Sequence, residues 1–219
     1  MARRFDWWRP AFIAAGGLIL AGGPRHPGGT MVEMLGDPAW TLAHVLMLGG
    51  FVALTLGLIA LGPETRLTAP VRRARRCALF GAGVQVVEMI LHTLASMDHA
   101  NLMAGRATPI LSTHLALAVA AYPMFGAAMV YFIVVATREK AIGSPFIAWL
   151  GVVGAVGHGI APPLTLLTTL PWARRLFPLL VLLALWAILA ALWPRRLAAP
   201  GPDAGTDVQM ARPLSRSSM

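Results

Sequence analysis

Six predominantly apolar stretches recur along this chain, at about 6–23, 39–61, 77–97, 110–136, 146–168 and 175–193. A helix that crosses the hydrocarbon core needs roughly 20 such residues. Inside lipid every backbone donor and acceptor must be satisfied within the segment, so stretches of this kind fold as helices. Composition agrees: 57% of the 219 residues are hydrophobic, 12% are charged, and the mean hydropathy is +0.68. Soluble domains carry about 25% charged residues. The expected fold class is all-α, a polytopic integral membrane bundle of six transmembrane helices over residues 1–196. No large soluble domain fits in the remaining length. Residues 197–219 are rich in Pro, Gly and Ser and read as a flexible cytoplasmic tail.

Basic residues set the orientation. One side holds Arg3, Arg4, Arg9, Arg66, Arg72, Arg73, Arg75, Arg76, Arg138, Lys140, Arg195, Arg196, Arg212 and Arg216; the other holds Arg25, Arg106, Arg174 and Arg175. Fourteen against four places both termini in the cytoplasm and the protein in the cell inner (plasma) membrane as a multi-pass protein. The net charge of +9 is thus a topology signal and not a nucleic-acid surface. The first segment follows a basic N-terminus as a signal peptide does, but no A-x-A-like site follows it, so it reads as a retained helix. Pro38, Pro109 and Pro145 stand just before three segments, where proline suits a helix start. Gly151, Ala155 and Gly159 lie four apart in the fifth segment and suit close helix packing within the chain.

Placed by depth in this topology, all six histidines fall in the outer half. His44 lies just inside helix 2, His92 near the outer end of helix 3, His114 just inside helix 4, and His158 deeper in helix 5. His26 and His99 belong to outer connections. Glu88 and His92 are four apart and share a helix face. At about 100° per residue Glu88, His92 and His99 fall within an arc of about 60°, and Gln85 extends the stripe inward. An ionisable side chain in a spanning helix is costly and faces a partner in the bundle. His44, Glu88, His92 and His114 are therefore the expected metal or heme ligands. His158, His99, His26, Gln85, Tyr122 and Asp98 are expected around them or along a polar cavity. Pro162 and Pro163 cannot donate to the carbonyls of His158 and Gly159, which predicts a kink and a polar cavity there. Pro123 does the same to Val119 in helix 4.

Three chemistries suit these residue types. Two imidazoles from facing helices are axial ligands for heme b, His44 or His92 with His114, with Gly49 and Gly50 giving room for the macrocycle; this is the first choice, with redox character and an outer-side redox partner. A non-heme zinc, iron or copper ion held by histidines and Glu88 is the alternative, and with zinc it implies a hydrolase acting on a lipid-like substrate. The third reading is a metal-free accessory protein or proton relay. H-E-x-x-H and C-x-x-C-H are absent, Cys77 is the only cysteine, and the only lysine, Lys140, lies in a loop, which excludes a retinal Schiff base within the membrane.

The run "HPGGTMVEMLGDPAWTLAHVLMLGGFVALTLGLIAL", with His26-Pro27 at a turn and Trp40-x-x-x-His44 at a helix start, resembles uncharacterised multi-pass membrane proteins of high-GC bacteria. "STHLALAVAAYP" carries a weaker likeness. The resemblance covers about the first third of the chain. It implies no activity and draws attention to His26 and His44.

Overall fold

A computed structural model describes residues 6–61 and 67–193. The tail 197–219 and the arginines at 3, 4, 66, 195, 196, 212 and 216 lie outside the described residues. Those residues hold helices and connections and no strand: α1 (Trp8–Gly22), α2 (Met31–Gly36), α3 (Ala39–Ala60), α4 (Ala69–Leu94), α5 (His99–Met103), α6 (Pro109–Arg138), α7 (Pro145–Leu167) and α8 (Leu180–Leu192). Five helical stretches are long and apolar enough to cross a membrane, namely α3, α4 continued to Met103, α6, α7, and α8 with the 3₁₀ turn before it. The first segment forms only the 15-residue α1, about 22 Å of helix, short of a hydrocarbon core of about 30 Å.

The helices form a closed ring. Each of α3, α4, α6, α7 and α8 packs on the next, and α1 fills the place between α8 and α3. The centre is aromatic and aliphatic, with Phe12, Phe51, Phe125, Phe132 and Trp186 buried. Outward faces carry Leu42, Leu56, Ile59, Phe80 and Val87, all more than half exposed. Such an outside matches a lipid solvent, in which helices associate through close packing and not through hydrophobic drive. Small residues supply that packing. A Cβ on Gly126 of α6 would stand 2.7 Å from the carbonyl oxygen of Ala155 and 3.0 Å from the Cα of Gly159, both in α7. Gly154 presses on the backbone of Leu183 in α8, and Gly57 on the ring of Phe12. The small-residue stripe of α7 therefore serves packing within the chain, as expected.

One difference from the expected spans matters. Helix α4 begins at Ala69, with Pro70 in its first turn, so Arg72, Arg73, Arg75 and Arg76 are helical and not in a loop. Arg75 is buried and reaches back to the carbonyls of Leu58 (3.4 Å) and Ile59 (3.2 Å) at the end of α3. A guanidinium placed there satisfies carbonyls that a helix end leaves without partners. Helix α7, Pro145–Leu167, matches the expected stretch and stays helical through Pro162 and Pro163.

Candidate metal centre

Four segments meet at the end of the ring opposite Arg75: the start of α3, the end of α4, the start of α6, and the connection after α1. Together they carry a row of imidazoles. Ring centroids are 4.8 Å apart for His26 and His44, 4.3 Å for His44 and His92, and 4.2 Å for His92 and His114. His44, His114 and Glu88 are buried, and the His92 side chain is 16% exposed. Nothing in a bundle of apolar helices draws polar side chains into such a row unless they have partners.

Glu88 anchors the inner end. Its Oε2 accepts from Gln85 Nε2 at 3.0 Å. Its Oε1 stands 2.7 Å from His114 Nδ1 and 3.8 Å from His92 Nδ1. The Glu88–His114 contact is close and buried, and the Tyr122 hydroxyl also bonds the Glu88 carboxylate. Glu88, His92 and His114 thus bring their ligand atoms within 4.8 Å of one another in a small buried space. Tyr122 OH lies 3.4 Å from His92 Nδ1.

The outer end is held by backbone carbonyls. His44 Nδ1 is 2.6 Å from the carbonyl of Trp40, one turn earlier in α3, and His26 Nδ1 is 2.8 Å from the carbonyl of Pro27. A carbonyl only accepts, so each Nδ1 carries the proton and donates it. In a neutral ring the lone pair is then on Nε2, and His44 Nε2 is buried with no partner. A ring fixed through one nitrogen to a carbonyl, with the other free, is the usual arrangement of a metal-binding histidine. His26 faces outward with part of its ring, while packing on Trp40 and His44 removes water from the rest. That burial lowers its pKa below the ordinary imidazole value, against the raising effect of the Pro27 carbonyl.

The turn that delivers His26 is locally built. Gly29 has φ +111°, a conformation that favours glycine. Thr30 then caps α2: Glu33 N donates to Thr30 Oγ1 at 3.3 Å, and Thr30 N donates to Glu33 Oε2 at 2.7 Å, a reciprocal capping box. Those amide and hydroxyl bonds lower the Glu33 pKa.

Two sets of potential ligands result, His26–His44–His92 and Glu88–His92–His114, each with its ligand atoms within 4.8 Å of one another. Tetrahedral ligation at about 2.0–2.1 Å places ligand atoms about 3.3 Å apart, so modest inward rotation of these side chains closes either set on an ion. The described residues thus include a His/Glu group able to hold a metal. Heme does not fit between the expected ligands. Axial imidazoles bind iron end-on through nitrogen at about 2.0 Å from opposite faces, which sets their ring centroids about 6 Å apart, whereas His44–His92 and His92–His114 are separated by 4.3 and 4.2 Å. His92 touches both other rings, so no slot opens between His44 and His114. Gly50 is taken up by α1, where a Cβ would meet Ile19 at 2.6 Å, and Gly49 faces Leu18.

The other expected residues are distributed as follows. His158 is buried, stacked on Phe51 at 5.5 Å and beside Tyr122 at 4.7 Å, one layer inward of the row. Asp98 accepts from Leu111 N at 2.8 Å and so caps the start of α6. His99 is not on the stripe. A 3₁₀ turn, Ala95–Asp98, separates it from α4, and four residues at about 120° each turn it about 80° away. His99 packs instead over Gly36 of α2. Trp40 is the residue that spacing alone did not single out for the site. Its ring lies 4.0 Å from His44, 5.2 Å from His92 and 5.7 Å from His26 and roofs all three; its place four residues before His44 is the signal. Comparison with known protein families, curated proteins and solved structures found no match.

Proposed function

We propose that this chain is a six-span inner-membrane protein, both ends cytoplasmic, whose outer half holds a non-heme transition metal, iron or copper, for redox exchange with an outer-side partner. The buried, unpartnered Nε2 of His44 and the grouping of Glu88, His92 and His114 carry this reading. Imidazole-rich sets with one carboxylate suit iron, copper and zinc. Redox is favoured over hydrolysis because Glu88, once it ligates through Oε1, has only the Gln85-bound Oε2 left and supplies no free general base. Tyr122 and Trp40 against the ligands add aromatic groups of the kind that border electron-transfer centres. For the sixth span, α1 supports the reading by its place in the ring between α3 and α8. Among the described residues Arg9, Arg72, Arg73, Arg75, Arg76, Arg138 and Lys140 lie at the end away from the histidines.

The test is elemental analysis of protein purified in mild detergent, with absorption spectra after oxidation and reduction. Iron or copper near stoichiometry, with bands that respond to reductant and fade in Glu88→Gln, is the expected result. A metal-free, colourless preparation refutes a metal centre; bound zinc with no redox response refutes the redox assignment.

A further inference from the structure

We infer that the centre holds two metal ions at once, bridged by His92 through its two ring nitrogens. This deepens the metal reading above and rests on it. The two ligand sets share His92 and no other residue. The inner set is reached through His92 Nδ1, the atom near Glu88 Oε1 and Tyr122 OH. The outer set offers His26 and His44, whose Nδ1 atoms are occupied by carbonyls and whose Nε2 atoms are the available donors. His92 Nε2 is the ring atom left for that side. With metal–nitrogen bonds of about 2.0 Å on either side of one imidazole, the two ions stand about 6 Å apart.

The donor count agrees. One tetrahedral ion takes four ligands and commonly leaves one place to water. Here Glu88, His26, His44, His92 and His114 are five donor residues strung along a row of ring contacts, not gathered round one point. Two ions, each with water completing its shell, use them all. Bridging requires His92 to give up its ring proton, which passes to water at the outer mouth beside the exposed His26. The resulting imidazolate adds a second negative charge to that of Glu88 and offsets part of the charge of the second ion. Trp40 covers the His44 and His92 rings and shields the bridge from bulk water.

The experiment loads the purified full chain with cupric ion alone, counts bound copper, and integrates its paramagnetic resonance signal. An imidazolate between two cupric ions couples their spins, so wild type should bind about two ions per chain but show well under the matching spin at low temperature. His44→Gln and His114→Gln each remove a donor of one set only. Each should bind about half the wild-type copper, with full spin for what is bound. One ion in wild type, lost in both variants, overturns the two-ion centre while leaving the metal reading intact. Two ions with full uncoupled spin overturn the bridge. No copper in a wild-type sample that is folded by circular dichroism overturns the two-ion centre, and the metal reading then falls as well if elemental analysis of the same sample finds no iron.

Discussion

Gly126→Ala probes the contact that holds Tyr122 of α6 against His158 of α7. The added Cβ would sit 2.7 Å from Ala155 O and 3.0 Å from Gly159 Cα. Both are backbone atoms and cannot swing aside. Ordinary contact begins at about 3.5 Å, so the helices must part by several tenths of an ångström. Overpacking of this kind costs about 1–3 kcal/mol. Alanine also gains about 0.5–1 kcal/mol over glycine in a helix, which masks part of the strain. Gly83→Ala in α4 supplies the control, since a Cβ there meets nothing within 4 Å. The propensity gain cancels between the two variants. Gly126→Ala should therefore be less stable than Gly83→Ala by about 1–3 kcal/mol. Thermal unfolding in detergent, followed by circular dichroism, reads this as a gap of about 2–12 °C at 2–4 °C per kcal/mol for a chain of this size. Equal midpoints, or a higher one for Gly126→Ala, would mean that the α6–α7 seam is loose and does not position Tyr122.

Two further perturbations address the roof and the outer turn. Trp40→Phe keeps an aromatic face over His44 but removes the Nε1–H bond to the Thr93 carbonyl (3.3 Å), a loss of about 0.5–1.5 kcal/mol; Trp40→Ala uncovers the rings and should speed removal of bound metal by a chelator. Unchanged chelation kinetics in Trp40→Ala would show that the ring shields nothing. Because the folded-state pKa of Glu33 is lowered by Thr30, its capping contribution is present above the ordinary carboxylate range and is lost as pH falls through the lowered value. Amide exchange at Thr30 should accelerate only below that range, and Thr30→Ala should cost about 1 kcal/mol at neutral pH; exchange that does not respond to acid contradicts the capping role.

The core of the site was readable because helical spacing and membrane topology are both encoded locally. Glu88 and His92 share a face by simple periodicity, and His44 and His114 each stand one to two turns inside the starts of α3 and α6. What periodicity cannot reveal is a change of helix type: the 3₁₀ turn at Ala95–Asp98 redirected His99 and gave Asp98 to the start of α6. Nor does it reveal where a loop returns. His26 joins the row through the left-handed Gly29 and the Thr30–Glu33 box, whose effect depends on three-dimensional closure. The heme reading failed on spacing between side chains of different helices, and the reach of Arg75 to the end of α3 is likewise tertiary.

The turn at Gly29 also divides the centre by timescale. The backbones of His44, Glu88, His92 and His114 ride on helices locked into the ring, and shifting those backbones requires helices to repack, motions of microseconds to milliseconds. His26 sits on the short connection between α1 and α2, and loop motion runs on the order of nanoseconds to microseconds. On the metal reading, the outermost donor is thus the one that can let go first. Exchange of an ion with the exterior is then governed by a loop, while the geometry of the inner donors stays fixed by the bundle.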